Sequence, residues 1–287
     1  MTDRPEGAVV SMPGEVRRVP AALVTAVIPV WDSYAERLPA AIKALREGDG
    51  AVRILVVDNA SQRPIDVPKD VDVVRLGRRV TLGAARSAGL TMTSTSWVMF
   101  WDADDTAVPG SIARLVDQAR RAPPGVTAIV AGIIEAATGA AHHWPRPRTF
   151  RLASRPQLFT LVHAMGSLFP TVGASVMRRD ALDQGGGFPD AETGDDWAAG
   201  VSVAARGRIV FDPRPARRYG HDHDSVSANW TSARLLKHGR LVRKRIADDP
   251  SVSPSTVRLI PLITLGQWIV VFVLRPIAIR IRRPHAR

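Results

Sequence analysis

Apolar residues follow two rhythms in the first half of this chain. Residues 23–30 (LVTAVIPV), 52–57 (VRILVV), 71–76 (VDVVRL), 97–101 (WVMFW) and 126–134 are short β-branched or aromatic runs, and they predict strands. Between them, residues 35–46 place Leu38, Ala41, Ile42 and Leu45 at helical spacing, stopped by Gly48 and Gly50. Residues 82–92 read as a second helix. Pro109 suits the first position of a third, whose apolar face carries Ile112, Leu115 and Val116. Strand-helix alternation over residues 23–134 predicts an α/β fold, a mostly parallel doubly wound sheet flanked by helices. Ligands of such sheets bind beyond the carboxyl ends of the strands. Pro29, Asp58 and the Asp102–Asp105 stretch are therefore expected on one rim.

After residue 135 the rhythm changes. Residues 136–157 read as a loop rich in Pro, Arg and His, 171–177 (TVGASVM) as a short strand, and 193–197 (TGDDW) as a helix start. Residues 229–247 predict a two-faced helix, with Leu235, Val242 and Ile246 on one side and Lys237, Arg240 and Lys244 on the other. Residues 259–274 form 16 uncharged positions between Arg258 and Arg275, interrupted by Pro261, Gly266 and Gln267. A spanning helix needs about 20 apolar residues. The short run with basic residues at both ends predicts a segment lying in the interface of an anionic membrane. A tilted span and a buried core helix are the alternatives.

Charge sharpens this picture. The 287 residues carry a formal net charge of +12, and 15 Lys/Arg against 4 Asp lie from Arg214 onward. The remainder is nearly neutral, so the basic character belongs to the C-terminal quarter. With 45% hydrophobic residues the chain has enough apolar content for a sizeable core. The lack of cysteine excludes disulfides and Cys-based zinc sites and leaves oxygen or histidine as metal ligands. Residues 1–20, with Asp3, Glu6, Glu15 and no apolar run, lack a signal-peptide pattern and read as a disordered tail. A cytoplasmic location, peripheral to the membrane, is expected.

Two acidic motifs carry candidate chemistry. In WDADD (101–105) a hydrophobic strand ends in three carboxylates. Such a cluster fits a solvated turn with a helix cap, or a Mg2+ or Mn2+ ion shared with substrate phosphates. In GDDW (194–197) two acids open a helix, as the helix dipole alone would favour. The same arrangement fits a general base beside an aromatic face for a sugar ring. His142, His143 and Trp144 read as a surface loop.

Seven segments in order, VIPVWDSY (27–34), VVDNAS (56–61), LGAARSAGL (82–90), FWDADD (100–105), GGF (186–188), GDDW (194–197) and HDHDSVS (221–227), resemble family-two glycosyltransferases of the GT-A fold. The resemblance covers residues 23–230. It implies an inverting, metal-dependent enzyme acting on a nucleotide-sugar donor. By that resemblance Pro29, Val30 and Asp32 border the nucleotide cleft, Asp58 binds the base, and Arg86 supports the nucleotide or diphosphate. Asp102, Ala103 and Asp104 form the DxD element, with Asp104 on the metal. Asp196 is the expected base, with Asp195 where the family often has Glu. Gly187, Phe188 and Trp197 approach the acceptor, and His221 or His223 approaches the metal.

The implied organisation is a tail over 1–20, a glycosyltransferase domain over 21–228 and a basic membrane-associating region over 229–287. The domain's nucleotide half is 21–135 and its acceptor half 136–228. The expected acceptor is a glycan or lipid-linked molecule of cell-surface synthesis, and no nucleic acid partner is expected. The rival reading is a nucleic-acid or anionic-membrane binding protein that uses its basic C-terminus and has no transferase activity.

Overall fold

The computed structural model describes residues 22–46, 52–135, 141–142, 151–219, 232–269 and 272. The tail over 1–20, His143, Trp144, His221 and His223 lie outside the described residues. Strands β1 (Val24–Val30), β2 (Val52–Asp58), β3 (Asp72–Arg75) and β4 (Trp97–Phe100) alternate with helices α1 (Leu38–Arg46) and α2 (Leu82–Thr91). Next come β5 (Thr106–Ala107), α3 (Ser111–Arg121), β6 (Val126–Glu135) and β7 (Ala141–His142). The second half adds α4 (Pro156–Met165), β8 (Ser175–Arg178), α5 (Arg179–Gln184), α6 (Asp195–Arg206) and β9 (Arg208–Tyr219). Helices α7 (Ser232–Asp248), α8 (Pro254–Val257) and α9 (Ile260–Ile269) follow.

All the strands join one sheet in the order β3-β2-β1-β4-β8-β6-β9-β5, with β7 paired to β6. The predicted parallel arrangement holds across β3, β2, β1 and β4. Beyond β4 the sheet is mixed: β8 runs antiparallel to both β4 and β6, while β9 is parallel to β6. The strand-helix rhythm that a run of parallel crossovers requires ends at residue 135, so the second half pairs differently.

Both faces of the sheet are covered, which is why its central strands are continuously apolar. All seven residues of β1 are buried. Val24, Ala26, Ile28 and Val30 pack with Leu38, Ile42, Leu45, Ile112 and Leu115 on one face. Val27, Val57 and Phe100 pack with Leu90, Phe188 and Val203 on the other. The alternation of side chains along a strand thus sends α1 and α3 to one layer and α2 and α6 to the opposite one.

Helix α7 belongs to this body. Val242 and Ile246 are fully buried with Trp197, Ala198 and Val201 of α6. Each such side chain contributes roughly 1.5–3 kcal/mol by leaving water. An ion pair of 2.5 Å between Arg206 and Asp249 closes the far end of the α6–α7 contact. The apolar face expected to belong to a separate C-terminal region therefore faces α6. Among the described residues no helix is long and apolar enough to cross a membrane.

Asp212 fastens the irregular middle of β9 to α3. Its carboxylate accepts from Arg114 Nε at 2.7 Å, Gln118 Nε2 at 2.9 Å and Arg214 Nε at 2.9 Å. Burial alone would raise its pKa, but the hydrogen bonds of Arg214 and the charge of Arg114 overcome this and hold it at about 2. A depressed carboxyl pKa stabilises the fold above the unfolded value near 3.8, and that contribution disappears as pH falls through about 2. Asp212→Asn is expected to lower stability by roughly 2 kcal/mol at neutral pH. Its deficit should shrink between about pH 4 and pH 2, as read by urea unfolding across that range.

Candidate active site

Helix α2 sets the geometry of the site. Thr81 caps it by accepting from the Ala84 amide at 3.2 Å, and small residues line its first turns. Gly83 lets the 189–192 loop lie directly against the helix: its amide donates to the Ala191 carbonyl at 3.0 Å. A Cβ there would stand 2.0 Å from the Pro189 carbonyl oxygen and 2.9 Å from Asp195 Cβ. This close approach brings the start of α6 beside Arg86, one helical turn along α2.

Arg86 is the hub. Its Nη1 donates to Asp195 Oδ2 at 2.6 Å and its Nη2 to Asp102 Oδ1 at 2.7 Å. The guanidinium side chain is only 5% exposed. Burial opposes its charge, but Asp195, Asp102 and Asp196 together outweigh that cost and raise its pKa. A single cation therefore ties the acidic loop after β4 to the acidic start of α6, although 93 residues separate Asp102 from Asp195.

A second arginine supports the acidic loop from β9. Arg217 Nη2 lies 2.5 Å from Asp105 Oδ1 and 4.0 Å from Asp102 Oδ2. Burial and the repulsion of Asp102 and Asp104 nevertheless push the Asp105 carboxyl up to about 8, against the pull of Arg217. Asp102 goes the other way: Arg86 and Arg217 overcome its burial and lower its pKa. Asp104 is more open, with 32% of its side chain exposed and Arg37 at 3.8 Å. Burial and the neighbouring Asp102 raise its pKa.

Asp195 and Asp196 separate in role. Gly194 precedes them with φ of 79°, a left-handed conformation that suits glycine, and a Cβ there would meet the His238 ring at 2.6 Å. Asp195 is buried and committed to Arg86, and burial raises its pKa despite that partner. Asp196 is partly exposed, and its Oδ1 accepts from the Trp197 amide at 2.8 Å.

The residues expected to contact ligands fall into two groups. Asp102, Asp104, Asp195 and Asp196 cluster around Arg86 and Arg217. The others are engaged differently. Pro29, Val30 and Ala103 are buried, and the Val30 carbonyl accepts from the Asn59 amide at 2.8 Å. Asp58 is 1% exposed, with its carboxylate bonded to Arg75 and to the Ser61 amide, so it orders the rim loop. Asp32 is exposed and accepts from the Gln62 amide at 2.7 Å. Arg86, expected at the phosphates, spends both terminal nitrogens on carboxylates.

Trp197 offers no open face to a sugar. It is buried, and its indole N–H donates to the His163 carbonyl at 2.7 Å because α4 packs over it. Phe188 is also buried, its ring 4.4 Å from that of Phe100 and 5.9 Å from the Arg86 guanidinium. Gly187 lies buried with φ of 62°. These two shape the wall behind the site.

Arg217 was counted with the basic C-terminal charge, and nothing in its RPARRY context marks it as buried. Nothing in WDADD singles out Asp105 as the buried partner of Arg217. Arg79 lies 4.4 Å over the Trp31 ring at the end of β1, and only the aromatic residue next to Pro29-Val30 hinted at that rim cluster.

Among the described residues no three His, Asp or Glu side chains converge as a ready metal ligand set. The donor chemistry nevertheless fits a hard divalent cation. Five carboxylates share the neighbourhood of two buried guanidiniums, and Asp105 Oδ2 is buried without a hydrogen-bond partner. Burial and the neighbouring Asp102 raise the proton affinity of Asp104, and a hard divalent cation would relieve a crowded carboxylate of this kind.

Comparison with known proteins agrees with this architecture. The chain is 25% identical over 248 residues to the pre-mycofactocin glycosyltransferase of Mycobacterium tuberculosis, a match covering 82% of this chain and 50% of that protein. It thus spans about half the length of the curated relatives it matches. The structure of S. aureus TarS in complex with UDP-GlcNAc superposes with a TM-score of 0.61 at 14% identity, covering 86% of this chain and 72% of that one. The mannosyltransferase PcManGT from Pyrobaculum calidifontis, in complex with GDP-Man and Mn2+, gives a TM-score of 0.56 at 17% identity, covering 87% and 70%. These neighbours share the fold expected from the sequence. The profile of glycosyl transferase family 2 matches residues 25–186, from β1 to the Gly186 turn before α6, and the chain belongs to that family.

Proposed function

We propose that this protein transfers a sugar from a nucleoside diphosphate sugar to an acceptor hydroxyl in one inverting displacement. The observation that carries the reading is the Arg86 bridge, which joins Asp102 at the end of β4 to Asp195 at the start of α6. Family membership and the donor complexes of the structural neighbours support the same donor class.

Asp196 takes the proton from the acceptor hydroxyl as its oxygen bonds to the anomeric carbon. The bond from that carbon to the diphosphate oxygen breaks, and the nucleoside diphosphate leaves with the electron pair. Asp104 would hold Mg2+ or Mn2+, with Asp102 beside it, and the cation when bound neutralises charge developing on the leaving group. Arg86 and Asp195 are positioning residues: they fix the α6 start that presents Asp196. The rim of Asp32 and Trp31, ordered by the buried Asp58, receives the nucleotide. The acceptor is a glycan or lipid-linked hydroxyl in cell-surface synthesis at the cytoplasmic membrane face.

A panel of nucleotide sugars tests it. Incubation of the protein with each donor and Mn2+ should release a nucleoside diphosphate from one of them. NMR of the product should show an anomeric configuration opposite to the donor's. Retention of configuration, or no turnover with any donor across simple glycan and lipid-linked glycan acceptors, would overturn the proposal.

A further inference from the structure

We infer that the outer face of α9 is the docking surface of this protein for an anionic lipid bilayer. The inference deepens the membrane part of the proposed function and rests on it only in the choice of partner. Helix α9 touches the body through Ile263 and Gln267, each 4% exposed. Gln267 donates from Nε2 to the Ala164 carbonyl at 2.7 Å, and its Oε1 accepts from Arg243. A surface helix held this way ordinarily turns polar residues outward. Here Leu259, Leu262, Leu265, Trp268 and Ile269 are exposed instead, with Leu262 at 63%, and Phe272 extends the stripe. At 100° per residue Leu262, Leu265, Trp268 and Ile269 fall within about a third of the helix circumference.

The occupant follows from what surrounds the stripe. Arg258 lies exposed just before α9, and Lys237 and Arg240 are exposed on α7, which contacts α9 where Gly239 meets Gln267, while Lys244 pairs with Asp248 at 2.6 Å. An apolar stripe carrying Trp268 and flanked by cations matches the acyl-headgroup boundary of an anionic leaflet. A protein partner would need acids of its own opposite these cations.

The surface is also mechanically linked to the acceptor side of the site. Helix α7 carries Arg245, whose Nη2 donates to the Gly187 carbonyl at 3.0 Å and whose Nη1 donates to that of Gly185. It also carries His238, whose Nε2 lies 2.8 Å from Thr193 Oγ1. Docking through α9 thus sets both loops bordering the start of α6 at a fixed height above the lipid surface.

The test uses the full chain without donor, so that it stands apart from transferase activity. Cosedimentation is measured with phosphatidylglycerol/phosphatidylcholine vesicles and with phosphatidylcholine vesicles alone. Binding to the anionic vesicles is expected, and the triple variant Leu262→Ser, Leu265→Ser, Trp268→Ser should weaken it by about tenfold or more. Brominated lipids should quench fluorescence of the wild type more than of Trp268→Phe. The triple variant should melt with the wild type, since all three positions are exposed. Equal vesicle binding by the triple variant overturns the inference, as does equal affinity for neutral vesicles. Wild-type self-association that the triple variant abolishes, with no vesicle binding by either protein, overturns it in favour of a second copy.

Discussion

Asp196→Asn is expected to lower the rate of sugar transfer by about 10²- to 10⁴-fold while leaving donor affinity within about twofold. The substitution keeps the size of the side chain and its hydrogen-bonding oxygen toward the Trp197 amide, so the first turn of α6 stays intact. It removes the proton acceptor. Because Asp195 is buried and bonded to Arg86, it cannot substitute. Asp195→Asn should behave differently: its effect runs through the position of Arg86 and appears as lost stability as well as lost rate. Single-turnover transfer by both variants, together with donor titrations, separates the two acids. An Asp196→Asn enzyme transferring within tenfold of wild type would remove Asp196 from the chemistry.

Arg86→Met carries the largest expected cost to the fold. It strips the cation from two carboxylates, one of them fully buried, and breaking a buried pair in this way costs about 3–5 kcal/mol. The pH dependence supplies a signature. Without Arg86 the pKa of Asp102 loses its main depressing charge and rises, and that of Asp195, already raised by burial, rises further. Raised carboxyl pKa values contribute stability that is present at low pH and lost as pH rises through them. The deficit of Arg86→Met relative to wild type should therefore be larger at pH 8 than at pH 5 in urea unfolding. A merely steric defect gives the same deficit at both. Arg86→Lys should recover only part of the loss, since an ammonium cannot make the paired, forked contact to two acids.

Legibility in the sequence tracked the physics of each element. The strands β1, β2 and β4 are plain in the sequence because both sheet faces are covered and nearly every central position is apolar. Helix α3 was plain because Ile112, Leu115 and Val116 face one layer. The reversal at β8 was not, since TVGASVM states a strand but not its partner. The two acidic motifs could be seen, yet their union could not: it depends on Gly83 admitting the 189–192 loop, a close approach with no local signature beyond a small residue. Arg217 was hidden in a basic run that a residue count treats as surface charge. Trp197 misled because an aromatic beside two acids reads as a sugar platform, whereas α4 packs over it and takes its indole N–H. In the C-terminal segment, the apolar face of α7 was correctly periodic but met α6. Among the described residues of the 259–274 run, Leu262, Leu265 and Trp268 turn outward.

The central claim is that carboxylates from the loop after β4 and from the start of α6 form one site, where a divalent cation and a nucleoside diphosphate bind together. Calorimetric titration of Mn2+ into the protein with a nucleoside diphosphate present tests it most directly. Tight, nucleotide-dependent Mn2+ binding is expected in the wild type, with loss of that binding in Asp104→Ala and its retention in Asp196→Asn. Equal Mn2+ binding by wild type and Asp104→Ala, or nucleotide binding unchanged by EDTA, would contradict it.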